Sequence, residues 1–336
     1  MNFGAAPGFW WAKPRFMAWA LAPLSWAYGK IAANRMRGGI SACAPIPVIC
    51  VGNFTVGGSG KTPLALAVAK AAKAQGFKPG FITRGHGGTV KQTRLSVETD
   101  VASIIGDEAM LLARAAPVAV GADRLVGAKL LAEAGCTIAI MDDGFQSRSI
   151  AIDHAIIAVD ARRGIGNGYV MPSGPLRAAL NVQMPFADQI VVVGDGEAGD
   201  AVVRAASRTG KPVARASLKP GNIGKLKGKN VMAFAGIADP EKFYATLRNM
   251  GAIVAITRNF PDHHTFTQNE LRSLMDDSGD LLLVTTEKDE VRITGQSEID
   301  LQLQSRLLTV PVQIIIQDDA VMKRALDEAV KRFKAA

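Results

Sequence analysis

Three features of the sequence predict an α/β fold with a doubly wound, mostly parallel sheet. Apolar runs of strand length alternate with alanine- and leucine-rich helical segments. One of these runs feeds through a glycine turn into a Lys-Thr pair, and another ends in two adjacent aspartates. Continuous apolar runs mark strands buried on both faces, as the inner strands of a parallel sheet are. In such sheets ligands sit beyond the carboxyl ends of the strands, so the glycine turn and the aspartates belong on one edge.

The glycine turn lies in the stretch from Val48 to Pro63. In the turn Thr55, Val56, Gly57, Gly58, Ser59 and Gly60, the glycines leave no Cβ in the way, so successive backbone N–H groups can converge on phosphate oxygens at a helix N-terminus. Lys61 supplies a point charge for the β- and γ-phosphates, and the Thr62 hydroxyl is placed for Mg²⁺. This predicts a sheet of the P-loop NTPase type. The common pattern G-x-x-x-x-G-K-[ST] has a first glycine where this chain has Thr55. The competing reading is a glycine-rich turn with a surface lysine.

The chain has 336 residues, more than one core normally fills, and predicts an N-terminal segment (1–38), a nucleotide-binding domain (39–222) and a smaller α/β domain (223–336). The boundary between the last two falls in the basic, glycine-rich stretch from Lys219 to Lys229. A composition of 48% hydrophobic and 21% charged residues excludes a disordered chain. The three cysteines, Cys43, Cys50 and Cys136, lack C-x-x-C spacing and predict neither a disulfide framework nor a zinc site. The net charge of +9 points to an anionic partner. No nucleic-acid module is recognisable, and no obligate protein partner is indicated.

All four tryptophans, Trp10, Trp11, Trp19 and Trp26, fall in the first 26 residues, with Phe3, Phe9, Phe16 and Tyr28. The apolar run from Phe16 to Tyr28 is too short to span a bilayer and contains Pro23. It lies between Lys13/Arg15 and Lys30/Arg35/Arg37, the pattern of a helix lying in the headgroup layer. A signal peptide and a helix packed on its own domain are the alternatives.

After the turn, Leu64 to Gln75 reads as a helix and Lys78 to Thr83 as a strand leading to Arg84-Gly85-His86-Gly87-Gly88, a possible second anion-contacting loop. Asp107 and Glu108 open a helix, a placement that the helix dipole favours without any function. A short strand, Val118 to Val120, precedes a helix from Asp123-Arg124 to Ala134. The next strand ends in Asp142-Asp143-Gly144-Phe145-Gln146, and the aspartate pair suits the Mg²⁺ side of a phosphate site, with a plain turn as the alternative. Strands at His154–Val159 and Gln189–Val193 flank a basic loop and the turn Gly174-Pro175-Leu176-Arg177. In the smaller domain, strands are read at Val231–Ala235, Ala252–Thr257 and Leu281–Thr285, with a helix from Pro240 to Met250. Between them lie His263 and His264; metal binding is disfavoured without a third ligand, and a histidine hydrogen-bonding a carboxylate across a cleft stands beside a plain surface loop.

Taken together, the Thr55–Pro63 turn, Thr83-Arg84-Gly85-His86-Gly87, Gly106-Asp107-Glu108, Asp142-Asp143-Gly144-Phe145-Gln146, Gly174-Pro175-Leu176-Arg177, Asp262-His263-His264 and Thr286-Glu287-Lys288-Asp289 resemble the tetraacyldisaccharide 4'-kinase family, from the Trp-rich N-terminus to at least Asp289. Thr-Val-Gly-Gly is that family's usual form of the turn. The resemblance implies an enzyme using ATP and Mg²⁺ on the cytoplasmic face of the inner membrane. Its acceptor would be a tetraacylated glucosamine disaccharide 1-phosphate, phosphorylated at the 4'-hydroxyl. It further implies Lys61 and Thr62 as phosphate and Mg²⁺ contacts, Asp107 as general base supported by His263, and Asp142, Asp143 and Gln146 at the metal and nearby phosphate. Arg84, Arg124 and Arg177 would contact phosphates. The family commonly has an acid after Leu-Arg; this chain has Ala178, which removes the metal contact expected from that acid. A GTPase or metallochaperone-type NTPase and a membrane-docked nucleotide-binding scaffold are the other readings. The guanine-reading N-K-x-D motif is missing from the sequence, with Thr286-Glu287-Lys288-Asp289 its nearest approximation.

Overall fold

The computed structural model describes residues 7–14, 16–39, 42–221, 224–237, 239–293 and 297–336; Phe3 and Arg15 lie outside them. Among the described residues, nine strands form the larger sheet. In chain order they are β1 (Val48–Gly52), β2 (Pro79–Thr83), β3 (Arg94–Leu95), β4 (Val118–Val120), β5 (Ile138–Asp142), β6 (His154–Asp160), β7 (Gln189–Val193), β8 (Val213–Pro220) and, after a second sheet, the strand Val312–Ile316. That second sheet comprises β9 (Asn230–Ala235), β10 (Ile253–Asn259), β11 (Leu282–Thr286) and β12 (Leu307–Val310), which makes Val312–Ile316 strand β13.

The spatial order of the larger sheet is β13-β8-β7-β6-β1-β5-β2-β4-β3. Its inner strands are parallel, as in the register Val48 to Ala139 and Ile49 to His154 on either side of β1. The two edges, β13 on β8 and β3 on β4, are antiparallel. The fully buried runs of β1, β2, β5 and β7 explain why the sequence shows no alternation there. One core lies between the sheet and the helices Lys61–Ala74 and Asp319–Ala335; a second fills the opposite face around Phe54, Phe145 and Met184. The smaller sheet, ordered β10-β9-β11-β12, is wholly parallel and has its own cores.

The division at 222/223 does not hold to the end of the chain. β13 pairs with β8, and the helix Asp319–Ala335 packs on the helix Lys61–Ala74, β1 and β6, so the final 25 residues return to the nucleotide-side sheet. A short apolar strand carries no mark of which sheet edge it will join.

At the N-terminus, α1 (Phe16–Ala20) and α2 (Ala22–Arg37) are separated at Leu21, with Pro23 in the first turn of α2, where its missing N–H costs nothing. Among the described residues no helix is long and apolar enough to cross a membrane. The tryptophans divide into two pairs. Trp10 is buried and donates from Nε1 to the Pro172 carbonyl at 3.0 Å, while Trp11 lies under the Arg163 guanidinium at 5.0 Å. Trp19 and Trp26 are 60% and 68% exposed, beside Phe16 and Leu24. The segment is therefore tied to the protein by one set of aromatics and presents another to the surroundings.

Candidate active site

The helix Lys61–Ala74, called α3 here, starts directly at the end of the glycine turn, with Gly60 at φ 80° and Gly57 at φ 104°. Both values lie in the left-handed region, where a side chain would be strained, which is the physical reason for glycine at these positions. Thr55 needs no glycine. It forms a β-bridge with Leu176, flanked by Val56 N–H donating to the Pro175 carbonyl at 2.8 Å and Arg177 N–H donating to the Phe54 carbonyl at 3.0 Å. The Gly174–Arg177 turn thus braces the entry to the cradle, and the paired backbone at Thr55 has no positive φ that would call for glycine. Ala178 is completely buried in the adjoining core and offers no metal ligand.

At the end of β5, the Thr62 hydroxyl donates to Asp142 Oδ2 at 3.3 Å. Arg177 Nη2 donates to Asp143 Oδ2 at 2.9 Å, with Lys61 Nζ 3.9 Å from the same oxygen. The other oxygen of each aspartate, Oδ1, is buried without a hydrogen-bond partner, as is Ser59 Oγ. Buried polar atoms are normally satisfied, so these three mark a place that a ligand completes. Two carboxylate oxygens beside a threonine hydroxyl suit Mg²⁺, which binds a few oxygens and keeps waters and substrate phosphates for the rest. Among the described residues there is no group of three His, Cys, Asp or Glu side chains of the kind a closed metal cage needs. Burial, and then the charge of Glu108, push the Asp142 carboxyl above the ordinary carboxylate range. Burial acts the same way on Asp143, but Lys61 and Arg177 override it and hold that group low.

Asp143 itself has φ 56°, which an aspartate tolerates better than most residues. Arg124 holds this turn. Its guanidinium donates to the Asp143 carbonyl at 3.3 Å and to Ser147 Oγ at 3.2 Å, so it braces the turn that carries the aspartate pair. Gln146 is held in a similar way. Its amide nitrogen donates to the Asn53 carbonyl at 2.7 Å and to Gln183 Oε1 at 2.9 Å, bracing the end of β1. Arg84 remains exposed at the mouth of the cleft. Phe145, 2% exposed, packs edge-on to Phe54 and fixes the Asp142–Gln146 turn against the core; Phe145→Ala is expected to cost about 3–5 kcal/mol in unfolding free energy, checked by denaturant titration.

Asp107 opens the helix Asp107–Ala113 behind Gly106, whose φ is 87° and where a Cβ would lie 2.4 Å from the His86 carbonyl. Only glycine lets the Arg84–Gly88 loop close onto the helix start. Asp107 Oδ2 is 3.1 Å from His263 Nδ1, although 156 residues separate them. His264 turns the other way, to Glu270 Oε2 at 3.0 Å, stacked on Phe260. The structure thereby assigns the facing histidine as His263, whose φ of 59° swings its ring toward the larger sheet. Asp107 also accepts from Arg292 Nη2 at 2.5 Å. Burial alone would raise the Asp107 carboxyl; the hydrogen bonds from His263 and Arg292, with the Arg292 charge, hold it well below the usual carboxylate range. His263 is correspondingly raised, first by its hydrogen bond to Asp107.

Sequence reasoning missed Arg292, and with it Gln183, whose amide nitrogen reaches the Phe54 and Ala178 carbonyls. The Asp289-to-Arg292 spacing is readable as a helical pair; the partnership with Asp107 is not.

The cradle, the aspartate pair, Glu108 and His263 line one open cleft of about 2030 Å³ that extends to Tyr28 and Arg35 of α2, with Asp107 buried directly behind His263. The family model for "Tetraacyldisaccharide-1-P 4'-kinase" matches residues 17–331. The chain belongs to this family. A tetraacyldisaccharide 4'-kinase of Chelativorans sp. (strain BNC1) is 47% identical over 332 residues, covering 97% of both chains. One from Rhizobium rhizogenes (strain K84) is 45% identical over 97% of this chain and 92% of its own. Among solved structures, LpxK from Aquifex aeolicus in complex with ATP superposes with a TM-score of 0.75 at 25% identity, over 94% of this chain and all of that one. The family match spans both sheets.

Proposed function

We propose that the protein transfers the γ-phosphoryl group of ATP, with Mg²⁺, to the 4'-hydroxyl of a tetraacyldisaccharide 1-phosphate, working on the cytoplasmic face of the inner membrane. The observation that carries this reading is the Asp107–His263 pair, whose histidine lines the same cleft as the phosphate cradle. A nucleotide switch or scaffold has no need of a carboxylate base beside its phosphates; an alcohol kinase does.

Lys61 and the N–H groups of the glycine turn bind and orient the phosphates. Thr62, Asp142 and Asp143 would hold Mg²⁺, which when bound neutralises charge on the β- and γ-phosphates. Arg177 keeps Asp143 ionised and facing the cradle. Asp107 accepts the proton of the acceptor hydroxyl, and His263 orients the carboxylate and shares the charge. In a loose transition state the hydroxyl proton leaves late, so a weakly basic carboxylate suffices. Acceptor-dependent ATP consumption tests this reading directly. ATP or GTP hydrolysis that ignores the lipid acceptor would instead favour the switch.

Because metal binding at Asp142 must expel the proton that burial favours, the apparent Mg²⁺ affinity should fall as pH drops through the raised Asp142 pKa. The sign follows from the shift: a raised carboxyl is protonated, and closed to metal, at a pH where an ordinary one is not. Mg²⁺ titrations of turnover at about pH 6 and about pH 8 should differ by up to tenfold per pH unit.

Membrane association rests on Phe16, Trp19 and Trp26, which are 77%, 60% and 68% exposed, with Lys30, Arg35 and Arg37 along α2. Deleting the segment would also strip Ser25 and Met36 from the core side of α2, so point changes are the cleaner test. Each large side chain returned to water forfeits about 1.5 kcal/mol or more, and replacing all three with serine should weaken partitioning onto phosphatidylglycerol-containing vesicles more than about a hundredfold. ATP affinity should be unchanged. Undiminished vesicle binding by the triple variant would place the membrane contact elsewhere.

A further inference from the structure

Three ion pairs join the helix carrying Asp107 to the segment after β11. Lys288 meets Glu108 at 3.2 Å and Arg114 meets Glu290 at 2.8 Å, each partly exposed, whereas Arg292 meets Asp107 at 2.5 Å with both side chains only 6% exposed. Arg292 is a fork with two occupied arms. Nη1 donates to the Gly236 carbonyl at 2.8 Å and to Asp289 Oδ1 at 3.0 Å, and Nη2 donates to Asp107 Oδ2. Asp289 is itself fixed, by the Thr286 hydroxyl at 2.6 Å and the Gly236 N–H at 3.0 Å. The guanidinium plane is therefore set by the smaller sheet before it reaches Asp107.

On the Asp107 carboxylate, Oδ2 is engaged by both Arg292 and His263, while Oδ1 accepts the Glu108 N–H at 3.0 Å and retains a lone pair. We infer that Arg292 is a positioning residue for the transfer reaction: it presses Oδ2 into a fixed contact, turns Oδ1 toward the acceptor hydroxyl, and keeps the carboxylate ionised. The inference rests on Asp107 being the base. Arginine is suited to this because its fork binds a carboxylate in a defined plane and never gives up its proton. The other groups facing Asp107 are Lys288 from the same segment, Asp262 beside His263, and Glu108 on its own helix, with Asp289 behind Arg292 and His86 edge-on to His263. Among the two cations that touch the carboxylate, Arg292 is the one whose charge is independent of pH.

The test compares Arg292→Gln, Arg292→Lys, Asp289→Asn and Asp107→Asn in the full-length protein, at saturating Mg–ATP, with kcat and acceptor KM measured across pH and melting followed alongside. With the fixed charge gone, burial raises the Asp107 carboxyl, so Arg292→Gln should bring a new acid limb into the measurable range and lower kcat about tenfold to a hundredfold, with the acceptor KM little changed. Arg292→Lys should keep the wild-type pH profile, because the charge remains, yet lose several-fold in kcat, because the fork is gone. Asp289→Asn should lower the melting temperature without moving the acid limb. An Arg292→Gln profile identical to wild type, an Asp289→Asn limb displaced as far as that of Arg292→Gln, or wild-type turnover in Arg292→Lys would each overturn the assignment. Should Arg292→Gln fail to fold, the Lys variant alone decides. Wild-type turnover in Asp107→Asn would show that the base reading has failed; impairment there with none in the Arg292 variants would show that only the positioning role has.

Discussion

Lys61→Ala should lower turnover by about 10³-fold while leaving the fold intact. The ammonium is the one positive side chain carried by the cradle itself, at the first residue of α3, and it lies 3.9 Å from Asp143. Removing a pre-organised cation from charge that develops in a water-poor site costs on the order of 10²–10³ or more in kcat. Folding should survive because Asp143 keeps Arg177 at 2.9 Å as its counter-charge. Steady-state kinetics with far-ultraviolet circular dichroism checks both halves of the prediction. Near-wild-type turnover in a folded Lys61→Ala protein would mean that the glycine turn is not the phosphate cradle.

Asp107→Ala should cost roughly 10²–10⁴ in turnover, since phosphate and metal stabilisation remain when only proton removal is lost. His263→Ala should cost less. Its ring contacts Asp107 through Nδ1 and is half exposed, so it supports the carboxylate without being the group that takes the proton. The double variant should fall close to Asp107→Ala alone, because residues that act as one unit are not additive. Losses that multiply would show independent action. His264→Ala serves as the control: its bond to Glu270 and its stacking on Phe260 shape the loop, so it should shift stability more than it shifts the coupling to Asp107.

Most of the parallel sheet was legible because its strands are fully buried and read as unbroken apolar runs, as in β5 and β7. Val213–Pro220 escaped notice because its burial is mixed, with Arg215 exposed and Lys219 near the end of the strand, and β13 because edge strands lack that signature. The cradle and the aspartate pair were legible from local chemistry, where a few adjacent residues must do one thing. The partners of Arg124 and Gln146 within the protein, the Asp143 and Asn53 carbonyls, were not legible, because only the folded turn brings them near. The pairing of His263 with Asp107 came from resemblance alone. What selects His263 over His264 is a left-handed backbone at one position and a hydrogen bond to Glu270 at the next, neither of which a sequence displays.

The most direct measurement is transfer of label from [γ-³²P]ATP to tetraacyldisaccharide 1-phosphate by the wild-type protein and by Asp107→Ala, with the position of the new phosphate determined in the lipid product. Label should appear on the 4'-oxygen, in a Mg²⁺-dependent reaction that Asp107→Ala slows by roughly 10²–10⁴. Label released only as inorganic phosphate, or placed on the 4'-oxygen equally fast by Asp107→Ala, would contradict a kinase that uses this carboxylate as its base.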